Sequence, residues 1–274
     1  MIAAIRLVLV ALVLAGPVVA DNAVVPSHVP GLDTIPDLTQ TDPRGNFSNG
    51  GRTFCGPVAV SNSLMMMLAE KLAEEDLSHY DLVNRLASLS CMKTHDRSGT
   101  SVKQLMRGVE RFLDERGEQN YYLKFQGWRR HDVRHRTNVN EPRLDWIKRL
   151  LSRGGAVWLN VGWYRRTSEE GVYYRMSGHW VTAVGYGRDS FGDPNPDYLV
   201  IHDPAPRAGS FPSQEFVKMA RLESGKLTGK MRNLPRPARD LYSMEGGMHL
   251  KRGAHLAILD GAVGLRLSKR KAPR

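Results

Sequence analysis

The stretch LDWIKRLLSRGGAVWLNVGWY, residues 144–164, holds the change of pattern that decides the fold class. Its first half, 144–155, repeats apolar residues at helical spacing and is stopped by Gly154-Gly155. Its second half, Ala156 to Tyr164, has the branched and aromatic composition of a strand. Before this point the periodic segments read as helices. One begins at Cys55, with Val58, Leu64, Met65, Leu68 and Leu72 on a common face and Met65-Met66-Met67 as core filler. A second covers 77–89 with Ser78 as N-cap, and a third covers 101–116 with Leu105, Val109 and Phe112 aligned. After it come strand patterns at 171–176, 179–187 and 197–203, then one or two within 253–267. The turn-rich segment 188–196 predicts a hairpin joining two of them. The basic segment WRRHDVRHR, 128–136, reads as polar and exposed. Together these predict an α+β fold with a helical lobe packed on an antiparallel sheet lobe.

The chain has 274 residues, 41% of them hydrophobic, enough to bury a substantial core. Residues 1–20, MIAAIRLVLVALVLAGPVVA, carry Arg6, an apolar run from Leu7, the breaker Gly16-Pro17, and Val18 and Ala20 at the minus-three and minus-one positions. This is the pattern of a secretory signal peptide, and the run is short for a membrane span. An uncleaved N-terminal anchor is the alternative. The expected organisation is a signal peptide over 1–20, an extended lead-in over 21–35, one domain over 36–267 and a basic tail over 268–274. Net formal charge is +11, or +10 once residues 1–20, with Arg6 and no acidic residue, are set aside. Weak attraction to anionic polymers or surfaces is expected from that charge. No specific nucleic acid and no stable membrane anchor is expected.

Chemistry is suggested first by Cys55 in GGRTFCGPVAVSNSLMMML, residues 50–68, where a glycine-rich loop turns into a helix. A thiol attacks as its thiolate, and the free N–H groups and dipole at a helix start favour negative charge. Gly56 leaves room for a substrate. A cysteine nucleophile needs a base, and His179 in SGHWVTAVGYG opens a strand from which it can face a cleft. Asp203 in LVIHDPAP ends the next strand. If the two strands pair as a hairpin, Asp203 comes to His179 and orients its ring, while His202 points to the opposite face. The Cys55 N–H can donate to an oxyanion, with Gln40, Asn46 or Asn49 as the second donor.

This order of motifs, Cys-Gly-Pro at a helix start, then His-Trp-Val-Thr-Ala-Val-Gly-Tyr, then Ile-His-Asp-Pro, resembles the papain-fold cysteine peptidases related to the double-glycine bacteriocin-leader peptidases. The resemblance covers roughly residues 36–206. It implies a papain-like fold over 36–267, Cys55 as nucleophile, His179 as base, Asp203 as its orienter and Gln40 as oxyanion donor. The family's glutamine commonly lies about six residues before the cysteine. Here the interval is fifteen, so Gln40 requires the loop between to bulge out and return.

The expectation is therefore an exported cysteine peptidase acting on a peptide or protein substrate without cofactor or metal. Acyl transfer to an amine on the same residues is one alternative. A non-catalytic binding domain with a Cys55–Cys91 disulfide is the other. His131 and His135 in HDVRH are four apart, but Asp132 stands where the zinc-peptidase pattern has Glu. Asp193, Asn195 and Asp197 alternate like the start of a calcium loop without its closing Glu.

Overall fold

The computed structural model describes residues 27–206 and 212–268. The signal peptide expected over 1–20, the first part of the lead-in and nearly all of the basic tail lie outside the described residues. Five α-helices are present among the described residues: α1 Cys55–Met67, α2 Ala69–Glu74, α3 His79–Ala87, α4 Val102–Asp114 and α5 Leu144–Leu151. The helix expected to run from Cys55 through Leu72 breaks at Leu68, whose φ of −123° leaves the helical region. The other helices start where their caps stand. Ser78 accepts from the Asp81 N–H at 3.2 Å. Ser101 and Gln104 form a reciprocal capping box at the start of α4.

Nine strands occur among the described residues: β1 Tyr121–Gly127, β2 Ala156–Arg166, β3 Val172–Arg188, β4 Pro194–His202, β5 Glu215–Arg221, β6 Lys226–Thr228, β7 Arg236–Pro237, β8 Tyr242–Glu245 and β9 Leu256–Leu267. Six of them close on themselves. β2 pairs with β3, β3 with β4, β4 with β5, β5 with β8, β8 with β9, and β9 returns to β2, all antiparallel. The molecule is a closed six-stranded β-barrel with about a quarter of its residues helical.

That architecture overturns the expected papain-like α+β fold, with its helical lobe on a sheet lobe. The physical reason is β9. It pairs with β1, β2 and β8, so a sheet that local pattern leaves open becomes a ring with no free edge between its first and last strands. Inside it, Val157, Leu159, Val181, Ile201, Val217 and Leu259 meet in one cluster, joined by Ile147, Leu150 and Leu151 of α5. Each such aliphatic side chain contributes roughly 1.5–3 kcal/mol on burial. Outside it, α1 and α4 pack Leu64, Leu105, Val109 and Phe112 against Phe125, Trp158, Trp180 and Val263. With both faces covered, β9 is buried at every position from Leu256 to Leu265.

Other local expectations shift with the tertiary contacts. The patterns at 171–176 and 179–187 are a single seventeen-residue strand, so His179 sits mid-strand and not at its start. Trp128 and His135 of the segment expected to be exposed are buried. Lead-in residues are held on the barrel, with His28 and Tyr186 exchanging backbone hydrogen bonds at 3.0 and 2.8 Å. Among the described residues, no helix is long and apolar enough to cross a membrane.

Candidate active site

The start of α1 lies across β3, where Thr182 Oγ1 donates to the Ala59 carbonyl at 2.7 Å, and Trp180 Nε1 of the same strand holds the segment before α4 by donating to the Thr100 carbonyl at 2.8 Å. Gly56 permits the approach: a Cβ there would stand 3.0 Å from Thr100 and 3.4 Å from Trp180. Cys55, the first residue of α1, is thereby half-buried at the mouth of a cleft of ≈ 660 Å³ whose lining includes Gln40, Asn160, Trp163, His179 and His249. The N–H groups of Cys55 and Gly56 open the helix and so have no partner within it.

β3 pairs with β4 in the expected antiparallel sense, with Thr182 opposite His202. This carries Asp203, just past the end of β4, to His179. His179 Nε2 and Asp203 Oδ1 are 2.6 Å apart, and both residues are buried. The remaining ring nitrogen, Nδ1, is free of Asp203, and Cys55 lies near enough to the His179 side chain to favour its protonated form. The Asp203 carboxylate also accepts from the Ala205 N–H at 2.9 Å and the His249 N–H at 3.0 Å. Trp163, from β2, lies nearly flat on the imidazole, ring centroids 4.9 Å apart and planes 17° apart. His202 faces away, its Nδ1 3.3 Å from the Pro36 carbonyl.

These contacts decide the charges. Burial opposes a protonated His179, but the charge and hydrogen bond of Asp203, followed by those of Cys55, outweigh it and hold the imidazole up to about 10. Burial alone would raise the Asp203 carboxyl. The His179 charge and hydrogen bond, with the N–H groups of Ala205 and His249, keep it below the usual carboxylate range. The arrangement is a charged imidazole held between a carboxylate and a thiol.

Gln40 joins the cleft by the bulge that its fifteen-residue interval requires. The chain leaves through a 3₁₀ turn at Pro43–Gly45 and returns through a second at Ser48–Gly51. Gln40 Nε2 donates to the Gly51 carbonyl at 3.0 Å, and the Gln40 N–H to the Pro204 carbonyl at 2.8 Å. The amide nitrogen thus keeps its second hydrogen for another acceptor. The bulge is anchored on α3, where Asn84 Nδ2 donates to the Gly45 carbonyl at 3.1 Å. Asn49 turns outward and donates to the Asp96 carbonyl, and Asn46 is exposed with a left-handed φ of 45°. Neither asparagine joins the cleft lining.

The two cysteines are free thiols in this structure. Cys91 is buried, donates its S–H to the Gly108 carbonyl at 3.0 Å, and is pushed up to about 11 by burial. His131 Nδ1 lies 2.8 Å from the Arg129 carbonyl, and its ring packs on Phe125. His135 instead meets Glu110 at 3.3 Å. Among the described residues, no group of three or more His, Cys, Asp or Glu side chains converges as metal ligands do. Asn195 and Asp197 lie at the start of β4, with the Asp197 N–H donating to Asn195 Oδ1 at 3.1 Å.

Reading the sequence did not single out Trp163, His249, Asn160, Arg129 or Arg175, all of which line the cleft. Trp163 carried a signal, since an aromatic residue in a strand beside the one bearing His179 is a natural wall. His249 acts through its backbone and carried none. No protein-family model matches the chain, and no curated protein matches it.

Proposed function

We propose that this protein is an exported thiol hydrolase that cleaves peptide bonds, with Cys55 as nucleophile. The observation that carries this reading is the His179 ring held between the Asp203 carboxylate and a thiol at a helix start. The motif resemblance to bacteriocin-leader peptidases supports the same roles for Cys55, His179 and Asp203.

Cys55 Sγ, as a thiolate, adds to the scissile carbonyl carbon, and the carbonyl oxygen becomes an oxyanion. The Cys55 N–H and the free hydrogen of Gln40 Nε2 donate to it. As the C–N bond breaks, the protonated His179 gives its proton to the departing amine, and an acyl-thioester remains on Cys55. Neutral His179 then takes a proton from a water, whose oxygen attacks the thioester. The acid product leaves, and the thiolate and imidazolium are restored. Asp203 stays ionised throughout and holds the ring.

Export rests on the signal-peptide pattern of residues 1–20, and N-terminal sequencing of the released chain should begin at Asp21. For the chemistry, non-reduced protein is treated with iodoacetamide and its mass read. One label at Cys55, with Cys91 unlabelled, and slower labelling in His179→Ala are expected. A protein lighter by two hydrogens and refractory to the reagent would overturn the proposal. So would failure of the labelled, folded protein's untreated counterpart to cut any member of a mixed peptide library.

A further inference from the structure

The cleft that holds Cys55 is strongly one-signed. Arg52, Arg97, Arg129, Arg175 and Lys251 line it, and no Asp or Glu does among the described residues. Two of these cations are built into its wall. Arg175 Nε donates to Asp260 Oδ2 at 2.8 Å, and Arg129 Nη1 approaches the same oxygen at 3.4 Å. The other carboxylate oxygen accepts from the Tyr164 hydroxyl at 2.7 Å. Asp260 is fully buried, with the Arg175 and Arg129 side chains only 8% and 17% exposed. Two guanidiniums therefore share one carboxylate, and the cluster keeps one uncompensated positive charge at the edge of the cleft.

Buried charge of one sign is costly unless a partner arrives. Its burial and the neighbouring Arg175 pull the Arg129 guanidinium down to about 10, a strain that an incoming anion relieves. Arg129 has five N–H donors in a planar fork and spends one on a long contact, so the fork is open to a second carboxylate. The same residue borders an adjoining groove of ≈ 440 Å³ that also holds Lys103, Arg130 and Arg232.

We propose that the substrate is an acidic peptide whose carboxylate is gripped by Arg129 and Arg175 in the cleft that holds Cys55. This substrate class rests on the thiol-hydrolase reading above. Either an Asp or Glu side chain or a free chain end presents the same group, and a peptide running on into the adjoining groove meets more cations.

The test uses three pools of fluorescein-labelled octapeptides with matched random positions. One carries two Glu with an amidated end, one carries two Gln with an amidated end, and one carries two Gln with a free terminal carboxylate. Binding to the mature Cys55→Ala protein is read by polarisation, so catalysis plays no part. At low salt the Glu pool should bind about tenfold more tightly than the amidated Gln pool, and the gap should close as salt is added. Arg129→Gln should remove the gap. If that variant does not fold, R97Q/K251Q replaces it, since both side chains are exposed, and it should narrow the gap at least about threefold. Tighter binding of the free-end pool alone would assign the carboxylate to a chain end. Equal binding of all three pools, or a gap unchanged in either variant, would overturn the proposal. With the wild-type protein, cutting of the Glu and Gln pools at equal kcat/KM sinks the acidic-substrate proposal alone. Charge-selective binding without any cutting sinks the hydrolase reading alone.

Discussion

Trp163 lies against His179 with ring centroids 4.9 Å apart and planes 17° apart, while His249 meets the same indole edge-on at 6.1 Å. The indole therefore fixes the plane of an imidazole already tied to Asp203 at one nitrogen, and it keeps water from that face. Such ring pairs are worth roughly 0.5–1.5 kcal/mol beyond their buried area. Trp163→Ala is expected to slow both iodoacetamide labelling of Cys55 and peptide cleavage by about two- to tenfold, while Trp163→Phe stays near wild type. Equal rates in Trp163→Ala and wild type would show that the stack does not position the ring.

Removing either end of the buried pair has two consequences that separate structure from chemistry. Asp203→Ala strands a charged His179 and should cost about 3–5 kcal/mol of stability by urea unfolding. His179→Ala should lower kcat by on the order of 10²- to 10⁴-fold through the lost proton transfer. The Asp203→Asn variant is the sharper probe, because it keeps the shape and removes the charge. Its cleavage should fall while far-UV circular dichroism is retained. Undiminished turnover in Asp203→Asn would remove Asp203 from the mechanism.

The same pair sets a stability window in pH. His179 is held above its ordinary 6.5, so its contribution is fully present below that pH and is lost as pH rises through about 10. Asp203 is held below its ordinary 3.8, so its contribution is present above that value and is lost as pH falls beneath it. The pair thus stabilises most between these two ordinary values. Urea midpoints measured from pH 6.5 to 10 should fall more steeply for wild type than for His179→Gln, which has no proton to lose. Parallel slopes would contradict the raised imidazole.

Gly51 closes the bulge that returns Gln40 to the cleft. Its φ is +71°, and a Cβ would fall 1.6 Å from the Gln40 carbonyl oxygen. Gly50 has a similar φ of +59° but open space around it. Gly50→Ala should therefore cost only the backbone term of about 1–2 kcal/mol. Gly51→Ala should cost more and should also displace the Gln40 amide. Loss of one oxyanion donor lowers kcat by about 10²- to 10³-fold. Matching kcat values for the two variants would mean that Gln40 does not serve the oxyanion.

The parts of the site that were legible in the sequence are those joined by short-range geometry. Cys55 is marked by the loop-to-helix change around it. His179 and Asp203 are marked by one hairpin, whose antiparallel pairing brings them together whatever the rest of the chain does. Gln40 was harder, since the residues that carry it back, Gly51 and Asn84, act through backbone approach and a contact to α3. Arg129, Arg175 and Asp260 were invisible. They come from a loop, β3 and β9, and nothing local says that their charges meet.

By itself the sequence determined the helices and most of the longer strands. Their caps and periodicities are properties of neighbouring residues, as Ser78, Ser101 and the apolar face of α4 illustrate. It left undetected β1, β5, β6, β7 and β8, whose pairing and burial come from distant partners. Only the tertiary structure decided that the sheet closes into a barrel. That closure depends on β9 finding β2 about a hundred residues away, and strand alternation specifies a buried face without naming what lies on it. The same long-range ladder sets Trp163 over His179 and gathers two arginines on one aspartate, so the electrostatics of the cleft belong to the fold and not to any single segment.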